Sequence, residues 1–198
     1  MLRTVEHVMD CGFRVTYGYT QSDEISLLLH RDEGSFDRKL RKLDSVFAAE
    51  ATSAFVLNLG APAAFDCRIS QLPTEDLVVD YFRWRHEDAH RNALNAHAYW
   101  ALRKDGASAR EATKTLQRLS VADKNELLFG HGVNFNDLPL WQKRGSGIWW
   151  ETFEKPGVDG RTGESVTAVR RRLRTELELP MRDAYDAFMR ERLAEAVA

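Results

Sequence analysis

Two adjacent carboxylates, Asp23 and Glu24, stand between two β-rich runs, Phe13–Tyr17 and Ile25–Leu29. Hard oxygen donors on a turn suit Mg²⁺, which takes one or two carboxylates plus the phosphates of a substrate. Neighbouring strand residues point to opposite faces, so only one of the pair faces a given site unless the backbone kinks. A second group, His86-Glu-Asp-Ala-His90, fits H-E-x-x-H on a helical stretch. That spacing sets two imidazoles on one face, as in a zinc peptidase with Glu87 as general base and Glu111 as a possible third ligand. Its neighbours Arg83, Arg85, Asp88, Arg91, Asn92 and Asn95 make a polar face that suits a phosphate or nucleotide as well as it suits zinc. On the helix expected from Phe36, Arg38 and Lys42 lie i, i+4 and could grip a triphosphate, while Lys39 and Arg41 are displaced around it. Lys124 and Asn125 at a helix start, Asn134-Phe-Asn136 and Arg144-Gly-Ser146 add donors suited to phosphate oxygens.

The elements that must position these groups follow from periodicity. Leu2, Val5, Val8 and Met9 make an amphipathic helix already running at the first residue, with no cap before it. The two β-rich runs predict a hairpin whose loop is Gly18–Glu24. A helix from Phe36 to about Leu57 carries Leu40, Leu43, Phe47 and Ala51, and Phe65–Ile69 reads as a short strand. Pro73 and Thr74 open a long helix that runs to Lys104, where Asp105-Gly106 stops it. Ser108–Glu111 and Ser120–Asp123 are capping boxes that start two short helices. Ile148–Phe153 is a strand, Pro156–Gly163 a long hairpin loop, and 183–198 a closing helix. The expected class is α+β, with a main domain over 1–146 and a hairpin-and-helix appendage over 147–198.

Composition narrows the class. The 198 residues carry 28 Lys+Arg against 30 Asp+Glu, a formal net charge of −2, with 43% hydrophobic residues. These values fit a folded globular protein and exclude a uniformly basic coat for nucleic acid. No run approaches the ~18 apolar residues of a membrane span, so no membrane partner is expected. Cys11 and Cys67 are isolated, which fits a reducing cytoplasm. The densest basic run is Arg170-Arg-Arg-Leu-Arg174. As a strand it aligns Arg170, Arg172 and Arg174 on one face as a rail for RNA phosphates; as a helix Arg172 points away. A solvated edge strand that uses charge against aggregation is the alternative.

Together the motifs resemble the tRNA-histidine guanylyltransferase family and its bacterial and archaeal relatives, the 3′-to-5′ polymerases. The matching pieces are Tyr17-Gly18…Ser22-Asp23-Glu24, Phe36-x-Arg38-x-x-x-Lys42, Phe65-Asp66-x-Arg68, and Asp80-Tyr81-Phe82-x-Trp84-Arg85-x-x-Asp88-x-His90-x-Asn92. Lys124-Asn125-Glu126, Gly132-Val-Asn134-Phe-Asn136 and Arg144-Gly145-Ser146 complete them, in family order, over residues 1 to about 150. The resemblance implies a palm-like antiparallel sheet flanked by helices, and a homo-oligomer, a tetramer in the family's manner.

The implied reaction activates a tRNA 5′-monophosphate with ATP. The 3′-hydroxyl of an incoming nucleotide, usually GTP, then attacks at a two-Mg²⁺ site and pyrophosphate leaves. Carried over by position, Asp23 is a metal ligand, and Ser22 and Glu24 line the metal and triphosphate site. Arg38, Lys42, His90, Asn92, Lys124 and Asn134 become triphosphate or 5′-end contacts, and the H-E-x-x-H match becomes incidental. Two departures carry consequences. The family's other carboxylate, in an Asp-Gly-Arg-x-Phe segment ending its first strand, precedes the helix with which this sequence opens. The expectation is therefore a shortened chain with its first strand missing, either impaired as a catalyst or retained as a nucleotide- and RNA-binding homologue. The family's His-Ile-Asn-Asn-Leu-Tyr-Asn reads His90-Arg-Asn-Ala-Leu-Asn-Ala96 here. That favours broader substrates, such as templated repair of truncated tRNA 5′ ends.

Overall fold

The computed structural model describes residues 1–195. Helix α1 (Leu2–Asp10) starts without a side-chain cap and buries Thr4, Val5, Val8 and Met9. This stripe forms a core with Leu43, Phe47 and Ala51 of α2 (Leu40–Leu59), and with Val15 and Ile148. Strands β1 (Val15–Gln21) and β2 (Glu24–Leu29) make a tighter hairpin than the loop expected over Gly18–Glu24. The β-favouring Tyr19 and Thr20 continue the ladder to the pair Gln21↔Glu24, leaving only Ser22 and Asp23 in the turn. Ser22 takes the left-handed backbone of a two-residue connection, φ 54°.

β3 (Ser146–Val158) and β4 (Ser165–Glu176) complete an antiparallel sheet in the order β2-β1-β3-β4. β1 pairs with only the first residues of β3, from Thr20↔Ser146 to Tyr17↔Trp149. The remainder of β3 pairs with β4 alone as far as Val158↔Ser165, a two-stranded ribbon. The strand expected over Ile148–Phe153 is thus longer, and the connection shrinks to the residues between Val158 and Ser165.

Two further expectations change. The helix expected from Phe36 begins at Leu40, because Ser35–Arg38 forms a short turn with Phe36 at φ 57° and Asp37 at φ 53°. Phe65–Ile69 has no ladder partner, although Phe65, Cys67 and Ile69 are half-buried and alternate with exposed neighbours as in a strand. A strand is defined by its ladder, and no described strand pairs with this segment.

By contacts the chain divides into two units. The first holds Met1–Pro73, Ser146–Glu176 and the residues from Arg190; the second holds Thr74–Gly145 and Leu177–Met189. β3 hydrogen-bonds to β1, which makes the C-terminal hairpin part of the N-terminal sheet. In the second unit Thr74 Oγ1 caps α3 (Glu75–Lys104) by accepting from Leu77 N at 3.3 Å. Both capping boxes form, starting α4 (Ala109–Leu116) and α5 (Val121–Gly130). Their apolar faces meet Ala93, Leu94, Ala98 and Ala101 of α3, with Phe135 completing the core. A short α6 (Leu140–Arg144) follows. The closing α7 is described over Asp183–Glu195; the last residues of the helix expected to Ala198 lie outside the described residues. None of the described helices is long and apolar enough to cross a membrane.

Candidate functional site

In the first unit the β1–β2 turn exposes Ser22, Asp23 and Glu24. Thr20 Oγ1 donates to the Glu24 carbonyl at 2.8 Å and ties the strand ends behind the turn. Asp23 therefore projects on a tightly closed support. No group of three or more His, Cys, Asp or Glu side chains among the described residues is placed to hold a metal. Asp23 and Glu24 still fit the share a protein gives to one Mg²⁺, a carboxylate or two beside substrate phosphates.

Arg38 and Lys42 are exposed in the same unit, but not on one helix face. Phe36, Asp37 and Arg38 are consecutively left-handed, Arg38 at φ 55°. Each such residue with a β-carbon costs roughly 1 kcal/mol. The Arg38 guanidinium holds the turn shut: Nη1 donates to the Arg31 carbonyl at 2.8 Å and to the Glu33 carbonyl at 2.9 Å. The buried Glu33 carboxylate accepts from Arg14 N and Ser35 N, each at 2.6 Å. Burial pushes its pKa up, but these main-chain donors and the Ser35 hydroxyl prevail and hold it below the ordinary carboxylate range.

At the other end of β1 from Asp23 lies a cleft of about 990 Å³ whose lining includes Arg14, His30, Trp149, Arg174 and Arg192. Guanidinium groups of Arg174 and Arg192 lie 5.3 and 4.7 Å from the Trp149 ring centre. On β4 the pairs Trp149↔Arg174, Glu151↔Arg172 and Phe153↔Arg170 set the three arginines on one ribbon face. Arg172 Nε bonds to Glu151 Oε1 at 2.5 Å and lies 4.8 Å from the Phe153 ring; Arg174 Nη1 is 3.6 Å from Glu151 Oε2. The rail is thus partly neutralised by its own carboxylate. Hydrogen bonding from Arg172 lowers the Glu151 pKa.

The second unit carries His90, Asn92, Lys124 and Asn134. His90 meets the edge of the Phe135 ring at 5.4 Å, next to Asn134, whose Oδ1 accepts from Asn136 N. Asn92 Nδ2 donates to Asp88 at 2.9 Å, and Lys124 stands in the first turn of α5. Two cations missing from the expected contact set join His90. Buried Lys143 donates to the Asn136 carbonyl at 2.7 Å with its ammonium 5.7 Å from the Phe135 ring centre, and Arg144 donates to the Leu179 carbonyl. Arg144 was visible in its Arg-Gly-Ser motif; no local pattern marks Lys143. Burial, then the charges of Arg144 and Lys143, lower the His90 pKa. Burial, then Arg144, lower that of Lys143. Donors that repel one another in this way gain from a bound anion.

His86 is wholly buried, its ring stacked 4.4 Å from that of Tyr185. Burial, then Arg144 and His90, push its pKa down to about 4. A ring closed over in this way presents no open side to a metal, which removes the physical basis of the zinc reading.

The family described as tRNAHis guanylyltransferase matches residues 1–73, and the one described as Thg1 C terminal domain matches residues 76–183. The chain belongs to the tRNA(His) guanylyltransferase family. The probable tRNA(His) guanylyltransferase of Dictyostelium discoideum is 32% identical over 170 residues, covering 80% of this chain and 65% of that protein. That of Homo sapiens is 31% identical over 166 residues, covering 78% and 56%. This chain therefore spans between about half and two thirds of the length of these curated relatives. A bacterial Thg1-like protein in complex with GTP superposes with a TM-score of 0.67 at 28% identity, over 99% of this chain and 75% of that one. Its ATP complex gives 0.68 at 27%, over 98% and 76%. The α+β palm-like architecture of the family is thus the architecture here.

Proposed function

We propose that the protein adds a nucleotide to the 5′ end of tRNA in the 3′-to-5′ direction, with a homo-oligomer, by family likeness a tetramer, acting in the cytoplasm. The observation that carries this reading is family membership over nearly the whole chain, with relatives seen bound to GTP and to ATP. On this reading ATP activates the 5′-monophosphate and GTP supplies the added nucleotide. Asp23 and Glu24 would hold Mg²⁺, which when bound offsets negative charge on the phosphates. Ser22, Arg38 and Lys42 orient one triphosphate. His90, Asn92, Lys124 and Asn134, helped by Lys143 and Arg144, orient the 5′ end or a second triphosphate. Arg170, Arg172 and Arg174 contact the RNA backbone.

A two-metal site needs carboxylates on both sides of the metals. Among the described strands β2 lies at a sheet edge, where a further strand bearing a second carboxylate would pair. The deciding experiment supplies 5′-monophosphorylated tRNA(His) and a tRNA lacking its first nucleotide, with ATP, labelled GTP and Mg²⁺. It tests this chain alone and with the family's Asp-Gly-Arg-x-Phe strand joined ahead of Met1. Addition by the extended protein, and far less by the shorter one, is the expected outcome. No addition by either, with tRNA and GTP still bound, would establish the nucleotide- and RNA-binding homologue instead.

A further inference from the structure

We propose that Ser35–Lys39 is a two-state latch, closed in this structure, which a triphosphate opens by refolding it into a first turn of α2. This rests on the reading above that Arg38 and Lys42 hold a triphosphate. In the closed state three consecutive residues with side chains are left-handed, and Nη1 of the Arg38 guanidinium donates to the carbonyls of Arg31 and Glu33. Helix α2 enters from Lys39 with no side-chain cap. The local sequence favours the alternative. Ser35 is a preferred N-cap residue, and Asp37 would place its charge in the first turn, where the helix dipole favours an anion. Neither residue plays that part while the segment is left-handed.

Right-handed backbone over residues 36–39 sets Arg38 and Lys42 one helical turn apart on the same face. The guanidinium then exchanges two neutral carbonyls for charged phosphate oxygens, a stronger hydrogen bond. That exchange is the differential affinity a ligand must have if it is to shift a conformational equilibrium. The Glu33 carboxylate, fixed on Arg14 N and Ser35 N, keeps the near end of the latch in place.

Asp37→Ala and Asp37→Gly separate the states, since both remove the carboxylate and its 3.0 Å contact with Lys39. Alanine favours the right-handed turn, whereas glycine tolerates the left-handed one. Affinity for tripolyphosphate and for GTP with Mg²⁺ is measured on the whole chain, with amide exchange followed over residues 36–42. Asp37→Ala should bind at least tenfold tighter than Asp37→Gly, with exchange slowed on binding. Equal affinities within twofold would overturn the latch while leaving the triphosphate site standing. Absence of binding by the wild type and both variants would overturn the triphosphate reading, and the latch with it.

Discussion

Gly18 of β1 passes beneath Val5 of α1 so closely that a β-carbon at position 18 would stand 2.6 Å from Val5 Cγ1 and 2.9 Å from Met9 Sδ. The absence of a side chain lets the helix settle on the sheet. Gly18→Ala should therefore cost about 1–3 kcal/mol, the range for overpacking a filled core. Val5→Ala also costs stability, but in the double variant it returns the missing space, so the two losses should sum to more than the double variant shows. Urea unfolding of the four proteins tests this, and strict additivity would refute the contact.

Asp23 lies in an exposed two-residue turn, so its loss should leave the fold alone. In a protein competent for addition, Asp23→Ala should lower nucleotide addition by more than tenfold, beyond about 1.4 kcal/mol of barrier, with an unchanged melting temperature. Activity within tenfold of the wild type would remove Asp23 from the catalytic role.

His86 links stability to pH. Its folded pKa of about 4 lies below the ordinary 6.5. Between these values the unfolded chain takes a proton that the folded one refuses, so the stabilising contribution is complete above about pH 6.5. It falls by up to about 1.4 kcal/mol per pH unit as acid is added, until the folded group protonates near pH 4. His86→Phe keeps a ring against Tyr185 without the titration and should flatten this acid limb. An unchanged slope between pH 6.5 and 4 would assign the acid sensitivity elsewhere.

The ribbon arginines make paired predictions about RNA. Replacing Arg170, Arg172 and Arg174 with alanine should weaken tRNA binding and flatten its salt dependence, by up to about 0.9 log units per lost phosphate contact. Glu151→Gln should do the opposite, because it releases Arg172 and Arg174 from their shared carboxylate. Filter binding across a salt series reads both; matching slopes in all three proteins would leave the stripe as a surface charge feature.

Local rules were legible in the sequence where a residue and its partner are close in the chain. Thr74 and the two serine capping boxes mark α3, α4 and α5 within a residue, and the hairpin residues lead to Asp23. Non-local effects were not legible. The alternation of Phe65, Cys67 and Ile69 is that of a strand, but pairing depends on an edge that another part of a protein must supply. Ser35-Phe-Asp-Arg38 reads as the start of a right-handed helix, and the bonds from Arg38 back to the carbonyls of Arg31 and Glu33 hold it the other way. His86 matches a metal motif by spacing, yet the packing of Tyr185 decides what the ring can reach. Lys143 and His90 meet at the shared Phe135 ring, a meeting no spacing announces.

The pairing of Tyr17 with Trp149 joins positions about 130 residues apart. Synthesis therefore completes α1, β1 and β2 long before β3 leaves the ribosome. The contiguous helical stretch from Thr74 to Gly145 can organise on local contacts in the meantime, whereas β1 must wait with one backbone edge open. Closing so long a loop is an entropic cost met late. Until Ser146 emerges that edge of β1 has no strand to pair with, which leaves it open to edge-to-edge association in the nascent chain.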